Sequence, residues 1–141
     1  MLRISSNSAK VLADLKVRQN AIQAKASAGL YAAGGYLEGK MAEKISLGQL
    51  SPALQPATIA RKGSSKPLFD KGHLLQQIDI KQETNGSVEV GVFNGPEERA
   101  YIALIHEYGA PKRNIPERSF MRSAYNENKD KMNKIFENKM K

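Results

Sequence analysis

Residues 78–92 read Ile78-Asp-Ile-Lys-Gln-Glu-Thr-Asn85-Gly86-Ser-Val88-Glu-Val90-Gly-Val92, and they decide the fold class. Apolar and polar residues alternate on both sides of Thr84-Asn85-Gly86-Ser87. Asn-Gly between two alternating runs is a strong hairpin signal, because both central residues of the favoured turn need positive φ. The sequence before and after this hairpin carries a helical period. The expected fold is therefore α+β: a long N-terminal helix and a C-terminal helix packed on a small antiparallel β-sheet, with a long basic loop.

Toward the N-terminus, Ser6, Asn7 or Ser8 is able to cap a helix. Val11, Leu12, Leu15, Ile22, Ala26, Leu30, Ala33, Leu37, Met41 and Ile45 then recur at three-, four- and seven-residue steps, which gives one apolar stripe. No proline precedes Pro52. An unbroken helix here would run ~60 Å at 1.5 Å per residue. Gly29, Gly34, Gly35 and Gly39 each cost ~1 kcal/mol relative to alanine, so a kink or break is expected near Gly34-Gly35. With Ala28 and Ala32, Gly35 and Gly39 also leave one helix face without bulk. That face suits close packing on the sheet or, alternatively, against another subunit.

Residues 48–67 form the basic loop, broken by Pro52, Pro56, Gly63 and Pro67 and charged by Arg61, Lys62 and Lys66. Thr58-Ile-Ala-Arg-Lys62 is expected to make a short helical turn within it. A segment of this kind is suited to ordering when a neighbour docks.

The motif-bearing stretch comes next. In Lys66-Pro-Leu-Phe-Asp70-Lys-Gly72-His-Leu74, Asp70 is placed to cap a short helix through Leu75 and Ile78, and Gly72 is free to take positive φ. Tyr101-Ile-Ala-Leu-Ile-His106-Glu107-Tyr108 reads as a short apolar strand or a helix stopped by Gly109, with Pro96-Glu97-Glu98 at its start favouring the helix. Ile115-Pro116 fixes an extended approach, and Arg118 offers its fork of donors to a carboxylate or carbonyl. Ser119 launches the last helix, anchored by Phe120, with Ala124, Met132, Ile135, Phe136 and Met140 as a sparse apolar face. One domain spans 1–141: a helical region to 47, the loop to 67, the sheet region 68–118 and the helix 119–141.

Catalytic chemistry has no candidate constellation. The 141 residues contain no cysteine and only two histidines, His73 and His106. His106-Glu107 is followed four positions after the histidine by Ala110, so the zinc motif His-Glu-x-x-His is incomplete and no metal or cofactor is expected. No Gly-x-Ser-x-Gly elbow occurs, and Gly34-Gly35 lacks the Lys-Ser/Thr of a phosphate-binding loop. His106 reads instead as a partly buried, satisfied histidine, donating from one ring nitrogen and accepting at the other. Arg3 is followed by polar Ser5 to Ser8, so no secretory signal is expected. No apolar run reaches the ~20 residues that cross a bilayer, so a soluble protein without membrane contact is expected.

Net charge is +8, from 22 Lys and Arg against 14 Asp and Glu. Such a surface attracts polyanions, so a basic nucleic-acid-binding protein is the alternative functional reading. The basic residues are nevertheless scattered, with no run of five, which favours a solvated basic surface over a dedicated nucleic-acid site.

Three segments carry a resemblance over Leu54 to Ala124. Pro67-Leu-Phe-Asp70-Lys-Gly72-His-Leu74, His106-Glu107-Tyr108-Gly109 and Ile115-Pro116-Glu-Arg118-Ser-Phe120 stand in the order found in small virion-morphogenesis proteins. The chain thus resembles the tail-completion and neck (head-tail joining) proteins of tailed bacteriophages. Lys71 stands where that family usually has Thr, and Ser119 where it usually has Pro. The resemblance implies a non-enzymatic α+β subunit of a homo-oligomeric ring, with a hexamer as one candidate size. Its implied neighbours are connector, tail-terminator or tail-tube proteins, with non-specific DNA contact in a channel. It implies assembly in the bacterial host cytoplasm and residence in the virion. Arg61, Lys62 and Lys66 would make partner contacts. Asp70, Gly72, Leu74, His106, Glu107, Gly109, Pro116, Arg118 and Phe120 would hold the frame.

Overall fold

The computed structural model describes residues 7–93 and 95–141; the cap candidate Ser6 and the segment 1–5 lie outside them. Four helices and two strands run in the order α1 (Ser8–Ser46), α2 (Pro56–Lys62), β1 (Ile78–Gln82), β2 (Val88–Val92), α3 (Glu97–Tyr108) and α4 (Met121–Met140). The fold is α+β, with long N- and C-terminal helices and one two-stranded antiparallel sheet.

β1 and β2 pair from Ile78 opposite Val92 to Gln82 opposite Val88. That register puts Ile78, Ile80, Val88, Val90 and Val92 on one face, as period-2 alternation requires. The turn is closed by Glu83 N–H to Ser87 O at 2.9 Å, with Gly86 at φ +86°. Asn85 Oδ1 accepts from the Ser87 amide and hydroxyl, a local bond that favours the turn over a longer strand.

α1 spans 39 residues and continues through Gly34-Gly35, so the expected break does not occur. Close packing supplies the reason. A Cβ on Gly34 would lie 2.6 Å from Ile80 Cδ1 and 2.9 Å from Val88 Cγ1, so glycine lets the helix axis approach the hairpin. At Gly29 a Cβ would lie 2.8 Å from Phe136 Cδ2, which does the same for α4. Packing on these two sides offsets the glycine propensity cost. Gly35 and Gly39, by contrast, meet nothing within 4 Å. At the helix start, Asn7 occupies the cap position without a side-chain cap bond.

α4 runs antiparallel along α1. Lys44 pairs with Glu127 at 2.8 Å, the Tyr36 hydroxyl donates to Asn128 Oδ1 at 3.1 Å, and Lys25 Nζ reaches the Lys141 carbonyl at 3.1 Å. The core lies where the C-terminal half of α1 meets the hairpin, α3 and the start of α4. Phe120 and Ile45 are fully buried, Met41 nearly so, and Leu37, Leu50, Leu74, Ile78, Ala103 and Ala124 complete the cluster. Each large member contributes roughly 1.5–3 kcal/mol through apolar burial.

Two local expectations are corrected. Asp70 is exposed and caps nothing; the next element is a single 3₁₀ turn, Leu75–Gln77, without a side-chain cap. The entry is made by backbone instead: Gly72 takes φ +76° and its carbonyl accepts the Gln76 N–H at 3.1 Å. Within the basic loop, the turn expected at 58–62 extends to a two-turn helix that begins at Pro56. Gly63 ends it in the left-handed conformation, donating to Ile59 O at 2.8 Å.

Candidate functional site

Two of the three motif segments, 106–109 and 115–120, meet around Glu107, on the last turn of α3. Its side chain is 1 % exposed. Oε2 accepts the amides of Phe120 and Met121, each at 2.9 Å, while Oε1 accepts the Arg122 amide at 2.9 Å and the Ser119 hydroxyl at 2.7 Å. These are the orphan donors of the α4 N-terminus, and a carboxylate there also meets the favourable end of the helix dipole. α4 is thus capped from a residue thirteen positions upstream. Burial pushes the Glu107 pKa up, but the Ser119 hydroxyl and the Met121, Arg122 and Phe120 amides outweigh it and hold the carboxyl below its usual range.

Arg122 locks the arrangement from outside. Its Nε donates to Glu107 Oε1 at 3.1 Å and its terminal nitrogen to Glu107 O at 2.9 Å and Glu117 Oε1 at 2.7 Å. The guanidinium also stacks 4.5 Å from the Tyr108 ring centre. Gly109 turns the chain away from α3 at φ +73°; a Cβ there would lie 2.9 Å from the Glu117 nitrogen, so glycine is required for space as well as conformation. Ala110 and Ile115 form an isolated antiparallel bridge, which leaves Pro116 exposed at the edge of a groove.

Arg118 points the other way. It is buried, donating from Nε to Pro52 O at 2.7 Å and from a terminal nitrogen to Ala53 O at 3.2 Å. It therefore ties the basic segment to the α3–α4 corner by carbonyls, as its fork of donors suggested. The Arg118 amide in turn donates to His106 O at 2.7 Å.

Between α2, residues 68–74 and α3 lies a cavity of about 430 Å³. Leu54, Leu68, Leu74 and Ile102 supply apolar wall, and Arg61, Lys62, Lys71, Arg99 and Arg118 supply positive charge against the single carboxylate of Asp70. His73 and His106 complete the titratable lining. His106 is half-buried but not satisfied, contrary to expectation: its Nδ1 is shut off from solvent and has no partner among the described residues. Burial, then the charges of Arg118 and Lys62, hold its pKa below the ordinary imidazole value. Burial likewise lowers Lys62, partly opposed by Asp70 and reinforced by Arg118.

Of the expected partner-contact residues, Arg61 and Lys62 thus face one cavity, while Lys66 stands outside its lining. Lys66 lays its stem against Gly48 and its ammonium 5.6 Å from the Phe69 ring centre. Its carbonyl accepts from Lys62 Nζ at 2.8 Å. Sequence reasoning did not single out Arg122, Arg99 or Lys71 as site residues. It also did not separate α1 into a packed half and an exposed half. Among the described residues, no group of three or more His, Cys, Asp or Glu is placed to hold a metal, and no helix is long and apolar enough to cross a membrane. Comparison with protein-family models, with curated proteins and with solved structures finds no match for the chain.

Proposed function

We propose that the chain is a structural assembly subunit of a tailed-phage or prophage virion, acting in tail completion or head-tail joining as a member of a ring. One observation beyond the motif resemblance supports this reading. Residues 8–25 of α1 are exposed throughout, and the stripe Val11, Leu15 and Ile22 stands 55–59 % open, flanked by Leu12 at 66 %. These eighteen residues make an arm ~27 Å long. An isolated helix of that length is marginal in water, and its apolar stripe is left uncovered by the described residues. A neighbouring copy of the ring supplies one. On this reading the module binds rather than catalyses. Its further neighbours are connector, tail-terminator or tail-tube proteins, and it works in the virion after assembly in the host cytoplasm.

Light scattering over a wide concentration range tests the reading. A discrete oligomer that dissociates on Leu15→Lys, with helicity retained, supports it. A wild-type monomer that also fails to bind connector and tail-tube proteins removes it.

The alternative reading, a basic nucleic-acid-binding protein, draws on a specific feature. The side chains of Arg61, Lys71 and Arg99 have no hydrogen-bond or ion-pair partner among the described residues. Tight duplex binding that weakens steeply with salt, by a monomer, would favour it over the assembly reading.

A further inference from the structure

We propose that the cavity between α2, residues 68–74 and α3 is a binding site for an amphipathic organic anion, a carboxylate or phosphate monoester carried on an apolar body. The site is independent of the exposed arm, whose apolar stripe lies on residues 11–22 of α1, none of which lines it.

Two features of the lining point to this ligand class. The first is charge. Five cationic side chains share one lining with a single acid, Asp70, and two of them already have work: Lys62 bonds the Lys66 carbonyl, and Arg118 bonds the Pro52 and Ala53 carbonyls. Arg61, Lys71 and Arg99 are left without partners among the described residues. Holding like charges beside one another is unfavourable, and an entering anion adds an attractive term with each cation that offsets this repulsion.

The second is the wall. Leu54, Leu68, Leu74 and Ile102 present side chains that no inorganic ion would use, and their low polarizability strengthens the field of the cations around them. A cavity of this volume, with its open surface mostly apolar and cationic side chains in its lining, has the build of a small-molecule site. His106 adds support: an anion beside its ring would oppose the effect of Arg118 and Lys62 on its protonation.

Methyl and imidazole NMR on the full chain tests the assignment, with hexanoate, hexyl phosphate, hexanol and inorganic phosphate as probes. The expected result is a saturable shift of the Leu74 and Ile102 methyls and the His106 ring with hexanoate or hexyl phosphate, the tighter of the two naming the head group. Hexanol and inorganic phosphate should each bind at least about tenfold more weakly, since each offers only half of the recognition. Arg61→Gln with Arg99→Gln, both without partners among the described residues, should weaken the anion by about tenfold or more and leave the thermal midpoint in place. Equal binding of hexanol and hexanoate would reduce the cavity to an apolar cleft and overturn the proposal. So would unchanged anion affinity in the double variant, or hexanoate and hexyl phosphate leaving Leu74 and Ile102 silent.

Discussion

Glu107 Oε2 accepts the backbone N–H of Phe120 at 2.9 Å, and both side chains are sealed from solvent, the carboxylate at 1 % and the ring at 0 % exposure. The most polar and the most apolar anchor of the α3–α4 corner are therefore one unit. The carboxylate satisfies the helix start, and the ring it positions fills the core between α1 and the hairpin.

Removing that acceptor should be among the most costly single changes in the chain. Glu107→Ala leaves the amides of Phe120, Met121 and Arg122 without their acceptor, and we expect a loss of about 3 kcal/mol in urea unfolding. Glu107→Gln keeps an acceptor oxygen but turns an NH₂ toward donors, so it should fall between wild type and alanine. A change under about 0.5 kcal/mol for alanine would mean that water replaces the carboxylate at no loss.

Acid should act through the same residue. The folded Glu107 carboxyl lies below its ordinary value, so its contribution is complete above pH ~4.5 and is lost as pH falls through the lower folded value. His106 is depressed as well, which for a base means that the folded state disfavours its charged form. Its contribution is complete above pH ~6.5 and declines as pH drops from there toward the folded value. Stability measured against pH should thus decline in two stages, and His106→Gln should flatten the upper one only. An unchanged slope below pH ~6.5 in that variant would assign the upper stage to another group.

The glycines of α1 show how far sequence could be read. Their propensity cost was visible, and a helix break was the natural consequence. The compensating contacts were not, because Gly34 meets Ile80 and Val88 across forty-six and fifty-four residues of chain and Gly29 meets Phe136. The hairpin, by contrast, was legible in its position and alternation, which act locally, although of Asn85-Gly86 only Gly86 takes positive φ, in a loop closed from Glu83 to Ser87. Similarly, Gly109 could be read as a helix stop, yet nothing in the sequence announces Glu107 as the cap of α4. A carboxylate thirteen residues before the Phe120 amide obeys no capping-box spacing. The cavity lining was out of reach for the same reason, as it draws on α2, the 68–74 segment, α3 and Arg118 together.

Arg118→Lys should be less conservative than it looks. One ammonium replaces a planar fork that bonds the Pro52 and Ala53 carbonyls from two nitrogens, so one of these two part-buried hydrogen bonds is lost. We expect a loss of about 1–2 kcal/mol and faster amide exchange in residues 52–62. Equal exchange in both proteins would show that α2 is held by its apolar contacts alone.

Paired alanine substitutions in α1 separate packing from propensity on a single helix. At Gly39 nothing lies within 4 Å and the residue is exposed, so Gly39→Ala should stabilise by about 0.5–1 kcal/mol from propensity alone. At Gly34 the same gain is opposed by a methyl that would sit 2.6 Å from Ile80 Cδ1 and 2.9 Å from Cγ1 of the short, branched Val88, so both side chains must be displaced. Overpacking of that kind costs about 1–3 kcal/mol, which exceeds the gain, and Gly34→Ala should be net destabilising. Chemical unfolding of both variants gives the comparison directly. If the two proved equally stabilising, the hairpin would be able to move off α1 without loss, and close approach would no longer explain why α1 tolerates glycine there.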